Sequence, residues 1–422
     1  LLYQAGKRRK TPVVPPPELR TAAITRLLDE LPAGQNKSYL DNFDFNSTTP
    51  PPRFVAEILN ILPALKKPSN PGLPLCYSYD TIEAVLDTVP VDVLVSDVWA
   101  RVCALRAAQA VDFQDPVHMV QKGLVDPVRV FVKNELHSAE KVAQGRMRLI
   151  MVLSMTDQIV ERWLSGSQNR VEIFHWDSIP GCPGMGLHDE GLEILLSKIQ
   201  QMKDPVATDV SGFDWQVEQY NLSDDACLRA ALAGCPPGSS YYALVTNRAK
   251  ALGNSVIVLS DGRAYTQSRP GVQKSGSYNT SSTNTHIRLS LAYMAGAPLA
   301  MAMGDDCVED AAPGAAEFYQ KYFPLKSYSP GHAVDFCSME FHLDAKHSYQ
   351  RFSNQRWDKQ LSTLLCKTPT AENYVELVSA LVHNFRHQRT RFHEYFMDYE
   401  TASYFLTRWG WGPRENKTKS NG

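Results

Sequence analysis

The sequence predicts a mixed α+β fold, and three observations carry that prediction. Stretches with apolar residues at helical spacing alternate with short β-branched runs of period two. Asp261-Gly262 stands between two such runs, a strong hairpin signal. The composition is that of an ordinary globular chain: 422 residues, 43% hydrophobic, 21% charged, net charge −2. That length suggests two or three lobes with ample apolar material for a core.

The elements follow in order. Residues 1–52 mix basic, Pro-rich and short apolar pieces, from Lys7-Arg8-Arg9-Lys10 to Pro50-Pro51-Pro52, and read as an arm with little independent structure, strapped over a larger body. Helical spacing starts at Phe54, Ile58, Leu59 and Leu62, breaks at Pro63 and in Pro68-Ser69-Asn70-Pro71-Gly72-Leu73-Pro74, and returns over 81–110. Strands are predicted at 128–133 and 149–153, joined by a basic connector, then helices over 155–169 and 189–202. A strand at 206–210 leads into helical material to 233. The hairpin 256–267 and a polar loop at Ser275-Gly276 come next, followed by a helix to about 295. A strand at 299–303 runs straight into Gly304-Asp305-Asp306. Residues 312–350 mix a helix with short strands, and 356–410 is helical and aromatic.

Several classes are excluded or disfavoured. The longest nearly uncharged apolar run, Leu289 to Met303, is too short for a membrane span and is broken by Gly296 and Pro298. The N-terminus lacks the apolar core of a secretory signal. Eight scattered cysteines without a CxxC pair point to free thiols in a reducing compartment, the cytosol by default. No GxxxxGK[ST] is present, which disfavours a P-loop NTPase.

Three acids are expected at strand ends: Asp209, and Asp305 and Asp306 in the turn that Gly304 permits. Two like charges ~4 Å apart repel by ~4 kcal/mol at an effective dielectric of about 20, so such a cluster calls for a cation. Oxygen-only ligands select Mg²⁺ or Mn²⁺. Two such ions could activate an attacking hydroxyl and stabilise a leaving pyrophosphate.

Asp209-Val-Ser-Gly-Phe-Asp214, then Ser275-Gly276-Ser-Tyr-Asn-Thr280-Ser-Ser-Thr-Asn284, then Gly304-Asp305-Asp306 resemble motifs A, B and C of viral RNA-dependent RNA polymerases. Upstream, Lys133-Asn-Glu135 through Lys141 to Arg146-Met-Arg148 resembles motif F, the basic nucleotide-channel element. Residues 121–150 hold six basic and three acidic side chains in a chain that is acidic overall. Ser69-Asn-Pro-Gly72-Leu-Pro74 resembles motif G at the template entrance, and Phe336-Cys337-Ser338-Met-Glu-Phe341 resembles motif E, the primer grip. Lys326 is the candidate motif D lysine, with Lys321 and His332 as competitors. The motifs span 69–341, and their wording is similar to the sobemovirus, polerovirus and barnavirus enzymes of positive-strand RNA viruses.

The resemblance implies a right-hand polymerase: an arm (1–52), fingers (53–195), a palm built on an antiparallel sheet with flanking helices (196–350, with a fingers insertion at about 216–272), and a small helical thumb and tail (351–422). It implies that Asp209, Asp305 and Asp306 ligate two Mg²⁺ (or Mn²⁺) ions, and that Lys326 protonates the leaving pyrophosphate. Asp214 and Asn284, with Ser275 and Thr280 nearby, would read the ribose. Lys133, Lys141, Arg146 and Arg148 would clamp the triphosphate, oriented by Glu135. Gly276 would let its loop move as the template advances. Ser69, Gly72, Pro74, Cys337 and Ser338 would face template and primer.

Implied partners are single-stranded RNA template and nascent duplex, NTPs, a genome-linked viral protein, and a replication complex on host cytoplasmic membranes. Protein-linked and de novo initiation both remain open. So do two other readings. A reverse transcriptase shares the acids, although it usually carries an aromatic residue where this chain has Met303. A non-enzymatic RNA-binding protein would carry Gly-Asp-Asp as an accidental turn. Zinc is not expected at His332, Cys337, His342 and His347, or at His383, His387 and His393, because the intervals miss the common ligand spacings.

Overall fold

The structure, a computed structural model, describes residues 1–355 except 136, 138, 332 and 345–350; the chain divides into two units, Leu1–Gly331 and His332–Gly422. In chain order the first unit carries β1 (Val128–Val132), β2 (Leu149–Val152), β3 (Pro205–Asp209), β4 (Val256–Leu259), β5 (Ala264–Thr266), β6 (Ala300–Met303), β7 (Asp306–Asp310) and β8 (Ser327–Pro330). They form two four-stranded sheets, ordered β2-β1-β4-β5 and β6-β7-β3-β8. In the first sheet only the β1–β4 pair is parallel, and β4–β5 is the hairpin that Asp261-Gly262 announces. The second is antiparallel throughout.

Half of the described α-helices begin where a residue can satisfy or dispense with the orphan N–H groups of a first turn. Ser154 caps Met155–Phe174 through its Oγ, which accepts from the Asp157 N–H at 3.1 Å. Prolines open Pro17–Glu30 and Pro52–Ile61. Pro90 divides the predicted 81–110 helix into Ile82–Thr88 and Val91–Ala107, because a proline cannot supply an interior N–H.

The largest apolar core joins the Pro52–Ile61, Val91–Ala107, Met155–Phe174 and Ser240–Gly253 helices. At its centre the fully buried Phe54 ring stands edge-on to Trp99 (4.9 Å between centroids) and Trp163 (5.1 Å). Two further clusters use opposite faces of Thr280–Met294. One packs Ile287 and Leu291 with Val210, Phe213, Tyr319 and Phe323; the other packs Leu289 and Ala292 with Leu27, Leu228 and Cys307. The helix thereby holds the β6-β7-β3-β8 sheet from behind.

The arm carries a helix that the sequence reading did not place, although not one that stands independently. Pro17–Glu30 is a 14-residue helix that buries Ala23 and Leu27. Its apolar stripe is short, so it stands only because those two side chains have the Thr280–Met294 helix region to pack on. Arg8 reaches further, pairing with Glu218 at 2.8 Å and donating to the Pro270 carbonyl at 2.6 Å. No helix among the described residues is long and apolar enough to cross a membrane, and every cysteine among them is an unbridged thiol.

In the second unit β9 (Ala333–Phe336), β10 (Met339–His342) and β11 (Phe352–Asn354) form an antiparallel sheet, with Phe341 edge-on to Phe352. Cys337 and Ser338 make its two-residue turn, both at positive φ (51° and 67°) although neither is glycine. Such a backbone costs of order 1 kcal/mol per residue. The expected thumb beyond 355, the aromatic tail, and His332, His347, His383, His387 and His393 lie outside the described residues.

Because Phe54 fills the contact between two tryptophans, Phe54→Ala is expected to cost about 3–5 kcal/mol, read as a lowered urea midpoint with unchanged slope.

Candidate active site

The central feature is the pairing of β3 with β7. Thr208 stands opposite Cys307, so one further step of the register sets Asp209 opposite Asp306. Adjacent strands lie about 4.8 Å apart, which fixes the two carboxylates side by side at one sheet end. Gly304 (φ 61°) and Asp305 form the two-residue turn between β6 and β7, in which Met303 pairs with Asp306. Asp306 is therefore a strand residue, whereas the sequence suggested a turn and gave no sign of β7.

The third neighbour is β8. Lys326, just before it, donates its backbone N–H to the Asp209 carbonyl (2.7 Å) and its Nζ to Asp209 Oδ2 (2.7 Å). Lys321, the competitor, sits elsewhere: its Nζ lies over the Tyr322 ring and its carbonyl accepts from Arg9. Among the described residues no three metal-ligating side chains converge. The acids nonetheless present only hard oxygen donors on adjacent strands, and a cation already occupies one of them, the Lys326 ammonium. That chemistry fits a divalent ion of the Mg²⁺ type.

Asp214, five residues past Asp209, is half-buried on the short helix Phe213–Gln216. Burial pushes its carboxyl up to about 6; the Asn284 amide opposes this, Asp305 adds to it, and Arg148 and Lys274 oppose it. Four separate sequence segments thus act on one carboxyl. Asn284 Nδ2 donates to Asp214 Oδ1 at 3.0 Å. Asn284 Oδ1 is buried with no hydrogen-bond partner among the described residues.

The loop before the Thr280–Met294 helix is tied down on all sides. Ser275 Oγ accepts from the Met151 N–H of β2 at 3.0 Å rather than projecting toward a ligand. Thr280 Oγ1 contacts the Lys274 and Ser277 carbonyls (2.8 and 2.9 Å). Gly276 lies so close to β2 that a Cβ would run into the Met151 carbonyl oxygen.

In the basic connector, Glu135 bridges Lys133 (3.1 Å) and Arg148 (3.5 Å), and Arg146 pairs with Glu140 at 2.6 Å. Lys141 accepts the Arg146 N–H on its carbonyl. Among the Gly72 loop residues, the Ser69 carbonyl accepts from the Ile82 N–H, and Pro74 precedes a single helical turn, Leu75–Tyr77. Gly72 (φ 73°) abuts the Leu153 carbonyl where β2 ends. Cys337 and Ser338 belong to the second unit.

Sequence reasoning missed the buried charges behind this site. His286 lies between Asp225 (2.6 Å) and Glu172 (3.1 Å), and Asp225 also takes Arg229 at 2.9 Å. Burial alone would lower the imidazole, but the two carboxylates outweigh it and hold it up at about 9. Lys274 is fully buried, its Nζ on Gln267 Oε1 and the Gly271 and Val272 carbonyls, and burial with Arg8 and Arg248 pushes it well below its ordinary value. One signal was available. Asp157, Glu161, Ser165, Asn169 and Glu172 recur at helical spacing on one helix, and all five are buried.

Residues 80–324 match the family described as viral RNA-directed RNA polymerase. The chain is 36% identical over 353 residues to the replicase polyprotein P2AB of Southern bean mosaic virus (80% of this chain, 36% of that protein). It is 38% identical over 337 residues to the RNA-directed RNA polymerase of Mushroom bacilliform virus (76% and 79%). With protein P1-P2 of Potato leafroll virus it shares 38% over 298 residues (64% and 27%). The chain thus spans about a third of the polyproteins it matches and most of the mushroom virus enzyme. Among solved structures it resembles the Sicinivirus 3Dpol RNA dependent RNA polymerase, with a TM-score of 0.56 at 15% identity over 90% of this chain and 83% of that one, a likeness of fold.

Gly276→Ala is expected to displace the loop at a cost of about 1–3 kcal/mol, measurable as a lowered melting temperature. His286 contributes stability that is complete below 6.5 and is lost as pH rises through about 9. The stability gap between the wild type and His286→Gln should therefore narrow across that window in urea titrations.

Proposed function

The chain belongs to the viral RNA-directed RNA polymerases, and from that premise we propose that it copies an RNA template into RNA by nucleotidyl transfer, replicating the genome of a positive-strand RNA virus. The observation that carries the reading is the β3–β7 register, which keeps Asp209 beside Asp306 and the Asp305 turn. In this reading Asp209, Asp305 and Asp306 hold Mg²⁺ or Mn²⁺, two ions in all, which supply Lewis-acid activation of the 3′-hydroxyl and of the leaving pyrophosphate. Lys326 sits on the Asp209 carboxylate and is suited to give a proton to the pyrophosphate once an incoming nucleotide draws it away.

Asp214 and Asn284 read the sugar. The unpartnered Asn284 Oδ1 is an acceptor waiting for a donor, which a ribose 2′-hydroxyl provides and a deoxyribose does not. Lys133, Lys141, Arg146 and Arg148 meet the triphosphate, with Glu135 holding two of them in register. Ser275 and Thr280 hold the loop beside the sugar site, and Ser69, Gly72, Pro74, Cys337 and Ser338 are assigned to template and primer. The proposed division is arm 1–52, fingers 53–195, palm 196–350 and thumb 351–422. Proposed partners are template and nascent RNA, NTPs, a genome-linked protein and a membrane-bound replication complex in the host cytoplasm.

The test is incorporation of labelled nucleotide on a defined RNA, with and without primer, comparing NTP with dNTP. Asp305→Asn should abolish synthesis, a loss of about 10³-fold or more, with an unchanged circular dichroism spectrum. Synthesis retained in Mg²⁺ would defeat the assignment of the acids, and a preference for dNTP would point to a reverse transcriptase.

A further inference from the structure

We propose that Glu161 is the positioning residue for the nucleotide-selecting loop, a buried carboxylate that sets the height of Asn284 against Asp214 without touching the nucleotide. The inference rests on the polymerase reading and goes beyond it. Glu161 lies on the Met155–Phe174 helix and is 1% exposed. Its Oε2 accepts from Ser277 Oγ at 2.7 Å and from the Tyr278 N–H at 2.8 Å. Its Oε1 accepts from Arg248 Nη2 at 2.7 Å and Nε at 3.2 Å. Arg248 Nη1 in turn reaches Asp157 Oδ1 at 2.8 Å, and Asp157 is held by Arg101.

Two carboxylates and two guanidiniums therefore alternate in a buried row, starting from Arg101 and ending on two groups of the loop. Four donors share the two oxygens of Glu161, so the carboxylate has little freedom to turn. The loop is held a second time by β2, where Gly276 meets the Met151 carbonyl and Ser275 bonds its N–H. Between these two constraints the start of the Thr280–Met294 helix has one height. Asn284 lies one turn into that helix, so a shift at Tyr278 passes through rigid backbone to the amide that bonds Asp214.

Glu161→Gln isolates the effect. An amide places an NH₂ against either the Arg248 fork or the Tyr278 N–H, both donors, so one side of the carboxylate's work is lost while the shape is kept. Ser277→Ala is the milder companion, leaving the Glu161–Arg248 pair intact and removing one of the two bonds on Oε2. Two readouts are taken on the full chain: hydrogen exchange in a peptide covering Tyr278, and the ratio of kcat/KM for a ribonucleotide to that for its 2′-deoxy analogue. For Glu161→Gln exchange is expected to quicken about tenfold and the ratio to fall about tenfold, with template RNA affinity within about twofold; Ser277→Ala should move both about threefold.

A role in stability alone predicts a lowered melting temperature with both readouts unchanged, and that result in folded Glu161→Gln overturns the assignment. If Glu161→Gln does not fold, Ser277→Ala decides by the same criteria. A wild-type chain that incorporates nothing overturns the polymerase reading and this assignment with it, whereas an active wild type with an indifferent Glu161→Gln overturns this assignment alone.

Discussion

Carboxylates that repel one another have to stay side by side, and the antiparallel ladder between β3 and β7 keeps them there. Backbone hydrogen bonds along four residue pairs resist what the charges would do if the strands were free to part. Everything else near the site either supports that ladder or softens its electrostatic cost. The Thr280–Met294 helix packs apolar side chains behind the sheet. Fully buried Arg288, on that helix, reaches Thr208 of β3, whose Oγ1 also bonds the Cys307 carbonyl of β7. Lys326 brings a positive charge to the outer side of Asp209.

The second layer of the design is the use of buried ionic groups where a core could have been apolar. A buried pair seldom gains net stability over well-packed hydrocarbon, because desolvation consumes most of the attraction. What such pairs offer is direction: a bidentate fork accepts one geometry, while a leucine accepts many. Apolar packing holds the Thr280–Met294 helix, while the loop from 274 to 280 and the polar side of that helix are fixed by directional contacts, namely Glu161, Ser275 on Met151, Thr280 on two carbonyls, and His286 between two acids. Under the proposed role in reading the sugar there is reason to build this way, since a small drift of one amide would blur the distinction between two sugars.

Much of this was legible in advance, and the reasons differ by element. Strands β1, β2, β3 and β4 were visible because β-branched residues at period two have few other uses, and β6 because its apolar run ends at Gly304. β7 was invisible: Asp-Cys-Val-Glu-Asp carries charge at both ends, and only burial against β3 and β6 turns it into a strand. The arm helix was missed because its stripe is too narrow to stand without a partner. Among site residues the acids, Asn284 and the basic connector were readable by type and spacing. The Glu161 and His286 networks were not, since a polar stripe at helical spacing ordinarily means a solvated face, and only the fold reveals that this one is turned inward.

The alternating row Arg101, Asp157, Arg248, Glu161 also shapes how the molecule can evolve. Losing Arg248 leaves Glu161 with no cation in a dry interior, and losing any other member unbalances the charge of the row, so the step between two workable versions passes through a damaged intermediate. Single substitutions arise far more often than simultaneous ones. Such a row is therefore a ratchet in sequence space, free to be inherited whole or exchanged as a block, and closed to gradual drift one letter at a time.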